Sequence, residues 1–175
     1  KRMKHIRNFA LILMMLPIVA MAAGTETYTG QVVKIADGDT FTLLVNGHDQ
    51  IKVRLDGIDC PEKGQAFGNK AKEYLSSMIW GEIVTVKVSK YDRYGRAIGT
   101  VSTAKFGNVN LEMIKGGMAW QYREYNDNPA YKAAEDNARL QRKGLWQDPN
   151  PIYPQDYRKA KRNKNKQQKF NWKNW

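Results

Sequence analysis

The stretch Asp37-Gly38-Asp39-Thr40-Phe41-Thr42-Leu43-Leu44-Val45-Asn46-Gly47-His48-Asp49-Gln50-Ile51-Lys52-Val53-Arg54-Leu55-Asp56-Gly57-Ile58-Asp59-Cys60-Pro61-Glu62 decides the reading of the chain. Asn46-Gly47 between two apolar, β-branched runs is a hairpin signal, so Thr40 to Val45 and Gln50 to Leu55 are expected to be paired strands. The alternation of Ile51, Val53 and Leu55 puts Arg54 on the opposite face from those apolar side chains. The two ends of the stretch hold Asp37, Asp39, Asp56, Asp59 and Glu62. Asp39 and Asp59 each stand beside a turn former, where a carboxylate projects from a strand end instead of lying in a ladder.

Working outward, Tyr28 to Ile35 reads as a first strand, Ile83 to Val88 as a fourth and Ala97 to Thr103 as a fifth. Ala66 to Trp80 carries Phe67, Ala71, Tyr74, Leu75, Met78 and Ile79 at one-face helical spacing, which marks a core helix. Leu111 to Lys115 reads as a short helix before Gly116-Gly117, and Asn128-Pro129 opens a last helix through Arg142. The pattern is β-rich α+β. Five short strands, one helix inserted after the third and helices appended at the end fit a five-stranded Greek-key barrel, the OB-fold, with about three α-helices.

Two carboxylates projecting from neighbouring strands can share a hard cation, because calcium and magnesium take oxygen ligands. Arg54 and Arg96, the latter in Asp92-Arg93-Tyr94-Gly95-Arg96, are permanently charged planar donors suited to phosphate. Glu62 is a spare carboxylate beside them. A metal, a phosphate clamp and a free acid point to phosphodiester hydrolysis, in which positioning and electrostatics do most of the work. His48 is the one histidine after residue 22, so a histidine base or a zinc site lacks its residues.

Asp37 to Thr40, Arg54 to Glu62 and Asp92 to Arg96, in that order and spacing, resemble the staphylococcal nuclease family, and the similarity runs from about Thr29 to Trp146. The resemblance implies the OB-fold and an endonuclease acting on DNA and RNA to give 3′-phosphate ends. It implies one Ca2+ held by Asp39 and Asp59 with the backbone carbonyl of Cys60 and water. Cys60 stands where the family usually has threonine, a change that a carbonyl ligand tolerates. It assigns to Glu62 the orientation or deprotonation of the attacking water. It assigns to Arg54 and Arg96 the phosphate and its pentacoordinate state, with Arg96 also helping the leaving oxygen. Tyr122 and Tyr125 fall where the family places tyrosines near the nucleotide, on a looser alignment. The competing reading is an OB module that binds nucleic acid without cleaving it; such relatives lose the carboxylates or arginines retained here.

The chain of 175 residues has room for one domain plus tails. Residues 1–22 have the layout of a signal peptide. Lys1, Arg2, Lys4 and Arg7 precede an apolar run from Phe9 to Met21, shorter than the ~20 residues of a membrane span, with a small-residue pattern at Ala20-Met21-Ala22. Export to the periplasm or medium follows, with no stable membrane insertion after processing. The net charge of +12 is unevenly placed. Tyr157 to Trp175 holds eight Lys and Arg and no acid, while Ala23 to Asp156 holds seventeen of each sign. The expected organisation is a monomeric nuclease domain over 23–147, followed by a proline linker and a basic disordered tail over 148–175. Phe170, Trp172 and Trp175 among the lysines suit that tail to stacking on bases. Cys60 is the only cysteine, which excludes an internal disulfide.

Overall fold

The structure, a computed structural model, describes residues 26–173, with side chains to Lys169. The signal-peptide reading and the tail aromatics lie outside what it describes. The barrel strands are β1 (Thr27–Ile35), β2 (Thr40–Val45), β3 (Asp49–Leu55), β5 (Ile83–Tyr91) and β6 (Ala97–Ser102). A two-residue β4 (Ile58–Asp59) precedes α1 (Gly68–Ile79). After the barrel come α2 (Val109–Lys115), β7 (Trp120–Gln121), α3 (Pro129–Leu140), a 3-10 turn at Gly144–Gln147 and α4 (Pro154–Lys173).

The strands close in the order β1-β2-β3-β6-β5, with β5 returning to β1. All neighbours are antiparallel except β3 and β6. Closure leaves no free edge, and the alternating side chains Leu43, Val53, Val84, Val86 and Val101 fill the interior. On α1, Ala71, Leu75 and Ile79 lie on one stripe and are fully buried, as their spacing predicts. The expected barrel strands are all present, with boundaries within a few residues. Asn128 caps α3 by accepting from the Ala130 amide, with Pro129 at the first helical position.

Two parts of the architecture differ from the sequence reading. Ile58 and Asp59 pair with Gln121 and Trp120, a bridge too short to show any alternation in sequence. The second difference is α4. The segment expected to be disordered is a fourth helix from Pro154 to Lys173, against about three expected. Proline suits the first turn of a helix, and the Lys, Arg, Gln and Ala that follow are good helix formers with no glycine or later proline to interrupt them. Tertiary contacts fix its beginning. Pro154 is buried, Tyr153 packs edge-on against Trp120 at 5.3 Å, and the Gln65 side-chain amide donates to the Ile152 carbonyl at 2.6 Å. Trp120 itself belongs to a small second core with Ala138, Leu145 and Trp146.

Asn110 on α2 locks the barrel to its appended helices. Fully buried, it accepts from the Val101 amide (3.0 Å) and donates to the carbonyls of Gly99 (3.0 Å) and Asp56 (2.9 Å). Asn110→Ala would strand the Val101 amide and the Asp56 carbonyl, each costing about 1–3 kcal/mol when left unpaired, while the Gly99 carbonyl keeps the Asp56 amide. Urea unfolding is expected to show a loss of about 2–5 kcal/mol, and a loss below about 0.5 kcal/mol would contradict this role.

Candidate active site

Register brings the site together. Thr40 pairs with Arg54 across β2 and β3, and the Leu55 amide donates to the Asp39 carbonyl at 2.8 Å. Arg54 therefore emerges beside Asp39 on the outer face of the barrel, while Val53 and Leu55 point into the core. Gly57, with φ of +71°, turns the chain from β3 into β4 and brings Asp59 back toward the same guanidinium. Gly38 is needed for space: a Cβ there would lie 2.8 Å from the Ala71 Cβ and 2.9 Å from the Cys60 Cβ. The Asp-Gly-Asp turn can thus sit directly on α1 and on the Cys60 loop.

The guanidinium of Arg54 bridges the two aspartates, donating to Asp39 Oδ1 at 2.7 Å and to Asp59 Oδ1 at 3.0 Å. The Asp39 carboxylate also accepts from the Thr40 hydroxyl (2.9 Å) and the Cys60 amide (3.2 Å). Burial alone would lower the Arg54 pKa, but the charges of Asp39 and Asp59 raise it above its ordinary value. The Asp59 side chain is 0 % exposed, and burial raises its pKa despite the neighbouring arginines. Asp37, whose carboxylate accepts from the Asp39 amide at 3.1 Å, is pushed up to about 6 by burial and by the charge of Asp39. In both cases burial is the larger cause, and Arg54 is shared between two of the three aspartates.

Arg96 is presented by a turn built on Asp92. The Asp92 carboxylate accepts from the Tyr94 and Arg96 amides (2.9 and 3.0 Å) and from Arg96 Nε (2.7 Å). Burial opposes ionisation of Asp92, yet those donors hold its pKa below the usual value. The terminal nitrogens of Arg96 have no hydrogen-bond partner among the described residues. Asp39, Arg54, Glu62 and Arg96 all line one cleft of about 850 Å³, with the Cys60 segment in its wall and Asp59 buried beneath. His48 stands apart, exposed in the β2–β3 turn. The Cys60 thiol is buried, and burial, followed by the charge of Asp39, pushes its pKa well up; such a thiol is a packing group, not a nucleophile.

Arg158 was missed in the sequence. From the second turn of α4 it donates to both oxygens of Asp59 (2.8 and 3.1 Å) and to Glu62 Oε1 (2.6 Å). It lies in a stretch whose composition reads as an unstructured tail, and only the proline start signal at Pro154 could have placed it on a helix. Tyr122 and Tyr125, an edge-on pair with centroids 4.7 Å apart, also line the cleft.

The donors present fit a hard cation. Asp39 and Asp59 are oxygen ligands brought within reach of one guanidinium, with the carboxylates of Asp37 and Glu62 at the same corner. Among the described residues no three His, Cys, Asp or Glu side chains gather as a ready cage. A cation here would therefore need backbone oxygen and water beside the two aspartates.

Fold and site together define a class: an OB-type barrel with an acidic corner and arginines in one cleft. The description "staphylococcal nuclease homologue" belongs to a family model that matches residues 52–148, just over half of the chain. A Haemophilus influenzae protein named as an uncharacterized endonuclease is 45% identical over 150 residues, covering 86% of this chain and 84% of its own. A micrococcal nuclease of Shigella flexneri is 41% identical over 157 residues, covering 83% and 88%. A staphylococcal-like nuclease of Arabidopsis thaliana is 38% identical over 117 residues, covering 66% of this chain and 36% of its own. The chain belongs to the staphylococcal nuclease family.

Arg54→Met tests the bridge. It would leave the buried Asp39 carboxylate without a guanidinium and Asp59 with Arg158 alone, a change expected to cost about 3–5 kcal/mol in urea unfolding with chelator present. Adding Asp39→Asn and Asp59→Asn should restore most of that loss. A single variant within about 0.5 kcal/mol of wild type would contradict the bridging role.

Proposed function

We propose that the protein is a calcium-dependent endonuclease that hydrolyses phosphodiester bonds of DNA and RNA and leaves 3′-phosphate ends. The observation that carries this reading is the shared cleft. Asp39, Arg54, Glu62 and Arg96 line it together above Asp59, although they come from four separate segments. Family membership and the relatives named endonuclease and micrococcal nuclease support it. The basic-then-apolar layout of residues 1–22 supports export.

Asp39, Asp59 and the Cys60 carbonyl would hold the calcium ion, which when bound supplies positive charge to the oxygens of the scissile phosphate. Arg54 and Arg158 both pair with Asp59, so an ion there would share that carboxylate with them, and the Arg158 bond to Glu62 keeps α4 at the cleft. Glu62, partly exposed at the cleft wall, orients or deprotonates the attacking water. Arg96, with terminal donors free, grips the phosphate and stabilises the charge that develops on it and on the leaving oxygen. Arg54 is already committed to both aspartates. Its contribution to the phosphate comes from a rigid guanidinium pre-positioned by that bridge.

Cleavage of single-stranded DNA and RNA, with calcium and with a calcium chelator, tests this directly. Activity is expected with calcium and not with chelator. Glu62→Gln is expected to lower kcat by roughly 10²–10⁴ and Arg96→Ala by roughly 10²–10³. Tight binding without cleavage in any divalent metal would move the reading to a non-catalytic OB module. Cleavage indifferent to both substitutions would place the chemistry elsewhere.

A further inference from the structure

The basic surplus of the chain is concentrated in α4, and one face of that helix enters the cleft. Arg158, Lys161, Arg162 and Asn165 follow i, i+3, i+4, i+7 spacing and line the same cavity as Glu62 and Arg96. Their roles divide. Arg158 is bound to Asp59 and Glu62 and pins the helix to the acidic corner. Lys161 and Arg162, about one turn further on, are exposed and make no ion pair among the described residues, whereas Lys159 on the same helix reaches Asp156 at 3.8 Å. Asn165 adds a neutral donor one turn beyond.

A helix that is polar all round is usually a solvated arm. Three observations set this one apart: its start is packed against the second core, it is pinned by a partly buried arginine, and its free cations face a cleft. We propose that Lys161 and Arg162, with Asn165, form a binding rail for backbone phosphates flanking the scissile one, so that α4 is one wall of a polynucleotide site. This rests on the nuclease reading of the cleft. From Arg158 to Asn165 the helix advances about 10 Å, or about three nucleotide steps at 3.4 Å each in a stacked strand. Phosphate contacts carry no base preference, so the rail favours chain length over sequence.

The test uses the full chain and compares a dinucleotide with a single-stranded 12-mer over a range of salt. The variants are Lys161→Gln/Arg162→Gln and, as a control of equal charge loss on residues that do not line the cleft, Lys164→Gln/Lys166→Gln. On the 12-mer, the cleft-face pair is expected to raise KM about tenfold at 0.1 M salt, leave kcat unchanged, and flatten the salt dependence of log KM by about 1.4. The control pair should change KM far less, and dinucleotide cleavage should match wild type. Equal effects from the two pairs, or a wild-type KM and salt slope in the cleft-face pair, would overturn the rail. If the wild-type protein cleaves neither substrate, the nuclease reading fails on its own. Fluorescence anisotropy of the labelled 12-mer then decides the rail: weaker binding only in the cleft-face pair supports it, and equal binding overturns it.

Discussion

The structure of the site depends on one guanidinium. Arg54 holds Asp39 and Asp59 together from two different strand ends, and it is the arginine that both buried carboxylates share. The arrangement is costly, because burying charge is repaid only when geometry and hydrogen bonding are good. Here the geometry follows from the fold. Register places Arg54 opposite Thr40, the Gly57 turn returns Asp59, and the absent side chain at Gly38 lets the first acidic turn rest on α1. Closure of the barrel holds these segments in fixed relation, which is what a site built on positioning requires.

Charge balance gives the second layer. The body of the chain is neutral, yet Asp37, Asp39, Asp59 and Glu62 gather at one corner around Arg54 and Arg158, and burial raises the pKa of Asp37 and Asp59. In the structure Arg158 offsets part of that charge from a helix outside the barrel. The basic arm therefore does more than attract polyanions at a distance. It is anchored at the acidic corner, and its cations Lys161 and Arg162 line the same cleft as Arg96.

Much of this was legible in the sequence because it rests on local signals. Asn46-Gly47 and the alternation around it gave the hairpin and the outward face of Arg54; the apolar stripe gave α1; Asn128-Pro129 gave the start of α3. The carboxylates and arginines were legible as a set only through their joint spacing and the family resemblance, since an aspartate in a turn is ordinarily a cap. The bridge between β4 and β7 was not legible, because two residues show no period. Nor was α4, where composition argued for disorder and long-range contacts of Pro154, Tyr153 and Arg158 decided otherwise. Arg158 pairs with residues almost a hundred positions away, a contact that no local pattern encodes.

Calorimetric titration of calcium into the wild-type protein and into Asp59→Asn tests the central claim most directly, because it asks about the acidic corner without any substrate. One ion per chain is expected in the wild type, with binding weakened by at least an order of magnitude in the variant. Calcium binding of equal strength in both proteins, or none in the wild type under conditions where it cleaves nucleic acid, would contradict the assignment of Asp39 and Asp59 as the cation site.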